Sequence, residues 1–462
     1  MDNQMQNIDR LLDVIDRAYS GPIVDEKEFD HKYVAASVTR AINKYQVVFD
    51  KDQIIQNDDD LIDRVWQAAL DFLETCGIYH ADTQRLIRFN RNEIESAIEA
   101  APAKVTIGEG RDARVFSTRK VEDTRPPLVG GGPIGTPLSE DQYIPIMQSY
   151  FQESILDIVV PGTLATSYGR KVRAKSPLEV ISSWLEVDLV KQAAARAQRS
   201  GLSVMGVEMA MSDLGHLSAI SRGGYRPTDI HIVALISEMK TNNELLNKAA
   251  HSLHQEGIIL GFYNPILGGL GGGAEGVAIL ILAGWIAMHL IYMPASVESC
   301  PTHPFLANST FPDIMRAISV VSAAVSRNSH LLSEFMTSPV SGPGTESLLY
   351  ECVAMASVIS ACGGSRALGV RSGVGVVENH CTGLETRFNG QVAHAAAGLS
   401  REQAEEIVQK AIAKYQPVMD QKPVGLPFSQ AYDLESMQPT AGWSQVYEQV
   451  KDEVIGWGLP IK

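Results

Sequence analysis

The stretch Gly201–Glu208, GLSVMGVE, decides how this chain is read. A short apolar run closed by glycine and then an acid is too brief for a helix and suits a buried parallel strand. Such strands carry side chains to the mouth of an α/β barrel, where barrel enzymes keep their chemistry. Met205 lies near that end of the run. The reading holds only if the rest of the chain repeats strand, loop and helix.

From Pro127 it does. PLVGGGP (127–133), ILDIVVPG (155–162) and GLSVMGVE supply the first three strands. DIHIVALISEM (229–239), GIILGFYNP (257–265) and a weaker SVESCPTHP (296–304) follow, then HLLSEFMTSP (330–339) and SRALGVRSGVGV (365–376). Helical patterns separate them: SPLEVISSWLEVDLVKQAAARAQ, NNELLNKAAHSLHQE, and apolar runs near 276–292, 312–326 and 346–361. This order predicts an α/β chain folded as a (β/α)8 TIM barrel over residues 126–396.

Residues 1–125 read as a charged, helical N-terminal extension. Asp60–Gly77 places Leu61, Val65, Trp66, Ala69, Phe72 and Leu73 on one helical face and stops on Gly77. Asn90–Pro102 begins with a capping residue and ends before proline. Lys104–Lys120 alternates as a hairpin around Gly108 and Gly110. Residues 397–462 form a C-terminal tail, helical and then irregular, packed on the barrel or on a neighbouring subunit.

The chain has 462 residues, 45% hydrophobic, with a net charge of −15. That charge disfavours nucleic acid and anionic membranes as partners and fits a cytoplasmic protein. Gly276–Met293 approaches the length of a membrane span, yet strand-like segments flank it, so a buried or subunit-facing barrel helix is expected. The five cysteines form no CxxC pair and no metal-ligand spacing, so no metal site is expected. The loops PLVGGGPIGTP and NPILGGLGGGAEG lack the lysine of a phosphate loop and read as βα loops at the barrel mouth, where glycine would let a large flat partner approach.

Several stretches resemble the monomethylamine methyltransferases of methanogenic archaea. They are GIYHADTQRLIRF (77–89), GRDA (110–113), GGPIGTPLSED (131–141), KSPLEV (175–180), SGPGTES (341–347), TGLETRFNGQVAHAAAG (382–398) and VYEQVKDEVIGWGL (446–459). The resemblance implies a (β/α)8 barrel, assembled as a homohexamer. It also implies methyl transfer to the Co(I) of a corrinoid (cobalamin) carried by a separate cognate protein at the barrel mouth, with no cofactor held tightly by the barrel itself. In that family the barrel carries pyrrolysine, whose imine takes up the amine.

By the resemblance, pyrrolysine falls on Met205, two family glutamates on Ile232 and Phe262, and a glutamine on Met336. Glu208, Asp229, His231 and His303 match family residues and are the retained polar candidates. Glu208, His231 and His303 are expected to act in catalysis. Met205, Asp229, Ile232, Phe262, Tyr263 and Met336 are expected to line the substrate site. The expected activity is a corrinoid-dependent, pyrrolysine-independent methyltransferase, with a quaternary amine as the first donor to test. A catalytically silent paralogue that binds a corrinoid protein remains open, as do methylamine, methylthiol and methoxy donors.

Overall fold

A computed structural model describes residues 2–206 and 212–462. Its centre is a closed parallel barrel of strands β1 (Leu128–Gly131), β2 (Ile158–Val159), β3 (Ser203–Gly206), β4 (Ile230–Ala234), β5 (Ile258–Phe262), β6 (Ser296–Ser299), β7 (Leu332–Thr337) and β8 (Arg366–Gly369). Each strand pairs with the next in sequence, and β8 closes on β1. All eight expected strands are present, each shorter than its apolar run. Val207 and Glu208 lie outside the described residues.

Side-chain alternation along the strands sorts the buried residues into two cores. One residue set points outward: Val129, Val159, Val204, Val233, Ile259, Val297, Phe335 and Ala367 join the large cluster beneath the surrounding helices. The other set points inward. Ile158, Met205, Ile230, Ile232, Leu260, Met336 and Leu368 form a separate interior cluster. Because both faces are buried, the strands read as nearly continuous apolar runs.

The N-terminal region closes the barrel floor. The hairpin Lys104–Ile107 and Arg114–Ser117 inserts Ile107 into the interior cluster. Its turn is tied to the amino ends of the strands, with Gly108 N donating to Thr228 O (2.9 Å) and Glu109 N to Gly201 O (2.8 Å). The helix Asp59–Cys76 is N-capped by Asp58 and ends on Gly77 at φ +69°, a conformation glycine adopts freely. Asn90 and Glu93 form a capping box on the helix Arg91–Ala100.

The apolar helix Ala274–Ile291 is long enough to cross a membrane, but 94% of it is buried in the protein. Helices Ala36–Tyr45, Asp59–Cys76 and Arg91–Ala100 pack over it, so its outer face is covered by its own chain, not by a subunit. A helix enclosed on all sides has no polar stripe to show.

Two expectations for the flanking regions need correction. The N-terminal region is not helical throughout: Ile78–His80, Arg85–Ile87 and Lys240–Thr241 form a small three-stranded sheet. The terminal segment is not irregular, because Ala441–Gly456 is a helix burying Trp443, Tyr447, Val450 and Val454 at helical spacing. The glycines after β1 also serve the chain's own packing. A Cβ on Gly131 would lie 2.1 Å from Thr386 Cγ2, and one on Gly132 1.9 Å from Val160 O.

Candidate active site

The carboxyl half of the barrel interior gathers Met205, Ile232, Phe262 and Met336. They come from β3, β4, β5 and β7, and each occupies an inward position of its strand. Met205, Ile232 and Met336 are buried, and Phe262 is half-buried at the end of β5. Val160, Leu368, Ile134 and Cys300 complete an apolar layer around them.

A charged ladder descends from this layer. Phe262, Glu298, Glu334 and Arg366 are successive Cα partners across β5, β6, β7 and β8. Glu334 and Arg366 are fully buried and ion-paired through Arg366 Nε and Nη2. Burial raises the Glu334 carboxyl, and the guanidinium draws it part of the way back. The Arg366 guanidinium lies 4.9 Å from the Phe116 ring centroid of the floor hairpin. Glu298, one step from Phe262, is 1% exposed and is, among the described residues, the carboxylate nearest the apolar layer by strand register.

The rim above is polar. Asn264 Oδ1 accepts from Cys300 N (2.5 Å), two residues beyond Phe262. Arg371, just past β8, donates from Nε to Ile134 O (3.2 Å). Burial pushes the Cys300 thiol up to about 12, while Arg371 pulls it down and Glu298 adds to the rise. The charges of Arg371 and Glu298 are therefore both felt at this one sulfur.

Three of the sequence candidates fall elsewhere. Tyr263 follows Phe262 and so faces out of the barrel, where its ring packs on Gly284 and its hydroxyl donates to Glu238. His231 likewise lies between inward Ile230 and Ile232 and points toward the helix layer. There its Nε2 meets Arg226 O (3.1 Å), its ring abuts Gly257, and burial lowers its pKa to about 4.

Asp229 precedes β4 and sits at the barrel floor. It accepts from Val204 N (3.0 Å) and Arg226 N (2.7 Å) and pairs with the Arg226 guanidinium (2.7 Å). It is a strand-end lock, remote from the mouth.

His303 does reach the mouth side, on the loop after β6 and not on a strand. Its Nδ1 accepts from Phe305 N and Leu306 N, and its ring centroid is 4.3 Å from that of Phe311. Those bonds place the ring proton on Nε2. The ring shapes the loop, and Glu208 lies outside the described residues. Glu298, Asn264, Cys300 and Arg371 were not singled out from sequence. The alternation SVESC around outward-facing Val297 was the available signal for Glu298 and Cys300.

A closed (β/α)8 barrel that gathers these side chains at the carboxyl ends of its strands defines an α/β-barrel enzyme. The chain belongs to the monomethylamine methyltransferase MtmB family, whose profile matches residues 10–459, and is a methyltransferase. It is 32% identical over 447 residues to the monomethylamine methyltransferase MtmB2 of Methanosarcina acetivorans, covering 97% of each chain. The MtmB of Methanosarcina mazei is 31% identical over the same length. The crystal structure of the Methanosarcina barkeri monomethylamine methyltransferase superposes with a TM-score of 0.94 at 31% identity, covering 97% of this chain and 98% of that one. A hydroxylamine complex of MtmB superposes equally well.

Proposed function

We propose that this protein moves a methyl group from a quaternary amine to the Co(I) centre of a corrinoid carried by a separate protein, without pyrrolysine. The observation that carries the reading is the grouping of Met205, Ile232, Phe262 and Met336 in one apolar layer. A methionine thioether cannot form an amine adduct as an imine does. A quaternary ammonium needs no such adduct, because loss of one methyl leaves a neutral tertiary amine that departs without a proton. Phe262 offers an aromatic face to the cation, worth about 0.5–2 kcal/mol. Glu298 on the neighbouring strand supplies opposite charge.

A docked corrinoid protein fits the outer surface of the βα loops. Tyr168, Ile236, Ile266, Phe305 and Val376, each on a loop that follows a different barrel strand, present exposed apolar side chains, and Phe305 is 82% exposed. Exposed apolar side chains on these loops support docking of a partner protein there. All five cysteines are unpaired and buried, which agrees with a cytoplasmic setting.

The test mixes purified protein with a Co(I) corrinoid protein and one donor at a time, following conversion to methyl-Co(III) by absorbance. Transfer from tetramethylammonium or choline is expected, and none from monomethylamine. Transfer from monomethylamine, or only from dimethyl sulfide or a methoxy compound, overturns the donor assignment.

A further inference from the structure

We propose that Arg371 binds a carboxylate, so that the donor is a zwitterion: a quaternary amine whose own carboxylate lies at the barrel rim. This rests on the quaternary-amine reading above.

The argument begins with a conflict of charge. A cation resting on Phe262 shares the mouth with the Arg371 guanidinium, whose Nε donates to the backbone of Ile134 in the same interior cluster. Two like charges in one barrel mouth repel, unless an anion lies between them. Glu298 answers on the Phe262 side, since it neighbours Phe262 in register. A donor that carries its own carboxylate answers on the Arg371 side.

The geometry holds Arg371 ready for that role. Its backbone N donates to Thr337 O (3.0 Å), and its Nε to Ile134 O (3.2 Å), which fixes the plane of the fork. Gly375 lets it lie there, because a Cβ on that residue would come within 2.5 Å of Nε. The two terminal nitrogens make no hydrogen bond to any described residue and are not sealed from solvent. A guanidinium held by Nε with both terminal nitrogens unpaired matches the bidentate geometry of a carboxylate.

Arg371 follows β8, whereas Phe262 ends β5, three strand positions round the ring. The two charged ends of a small zwitterion therefore have separate seats across the mouth. His231, which the resemblance marks as a catalytic candidate, points away from this space.

The test is calorimetric binding in the absence of any corrinoid protein, so it does not depend on turnover. Trimethylglycine is compared with choline, which has the same cationic head and no carboxylate, and with tetramethylammonium. Trimethylglycine is expected to bind about 10- to 100-fold tighter than choline, as a charge-assisted pair supplies. Arg371→Met, with Arg371→Lys as the milder variant that keeps the charge, removes most of that advantage, and loss of the repulsion leaves Arg371→Met binding choline at least as tightly as the parent. Unfolding midpoints confirm that the variants fold.

Equal binding of choline and trimethylglycine overturns the carboxylate site while leaving the quaternary-amine reading intact. Failure of all three ligands to bind overturns both. If Arg371→Met spares trimethylglycine and weakens only the corrinoid protein, the arginine serves an anion of that partner and the proposal is wrong.

Discussion

Replacing Arg366 by methionine removes the cation from the deepest ion pair of the barrel. Both partners are fully buried, with Glu334 in reach of Ser296 Oγ (3.5 Å) and Arg366 stacked over Phe116. Leaving a buried carboxylate without its partner costs about 3–5 kcal/mol. Glu334 then escapes by taking up a proton, since burial already raises its pKa and the lowering influence of Arg366 is gone.

An acid whose pKa is raised on folding favours the folded state below its unfolded pKa. Stability falls as pH rises from there through the folded value, and is level above it. The penalty of Arg366→Met should therefore be larger at pH 8 than at pH 5. A chain of this length unfolding as one unit has an entropy near ~1 kcal/mol per kelvin, so the midpoint should drop by roughly 3–5 °C at pH 8. Scanning calorimetry at one fixed rate, at both pH values, measures it. The double replacement Arg366→Met with Glu334→Leu should lie closer to the parent than Arg366→Met alone, because no charge is stranded. A single variant as stable as the parent, or a double variant that loses the sum of both singles, refutes the reasoning.

Phe262→Ala should weaken binding of a quaternary ammonium by about 2- to 30-fold through loss of the aromatic face, read by calorimetry. Tyr263→Phe should leave that affinity unchanged and cost about 1 kcal/mol of stability, through its lost bond to Glu238. Met205→Leu, a volume-conserving change at a fully buried site, should cost under about 1.5 kcal/mol and retain methyl transfer. Loss of transfer in a folded Met205→Leu protein would mean that the thioether takes part. His231 titrates near pH 4 when folded against 6.5 unfolded, so its contribution grows as pH rises between those values and is lost as pH falls. His231→Gln should flatten the loss between pH 6.5 and 5 by about 2 kcal/mol in urea unfolding, without altering donor binding. An unchanged acid slope would count against the outward burial of that ring.

The barrel was legible because its signals are local. Short apolar runs bounded by glycine and proline recur in order with helical stretches between them, and the capping box at Asn90 marks its helix directly. The inward or outward sense of each strand was less legible. Ile230, Ile232 and Val233 are all apolar because both faces are buried, so nothing in the run says that His231 turns outward. Phe262 and Tyr263 had to lie on opposite faces, yet the sequence did not say which faced in. Asp229 looked like part of a strand, and only the start of β4 at Ile230 places it on the floor. Arg366 and Glu334 are 32 residues apart, so their pairing is a tertiary fact without a local signature.

Once the facing of each strand is known, the interior orders itself by height, and the order bears on the chemistry. The hairpin seals the floor, the Glu334–Arg366 pair lies above it, and the apolar layer of Met205, Ile232 and Met336 separates that pair from the polar rim. Ile232, Phe262 and Met336 offer no acidic group. Among the described residues, a leaving group that must be protonated has Glu298 as its nearest acid, which the register places beside Phe262. A neutral tertiary amine makes no such demand, and a donor of that kind needs a dry wall, an aromatic face and charges at its edges. That requirement matches the order in which the strands deliver their side chains, from Met205 in the wall to Arg371 at the rim.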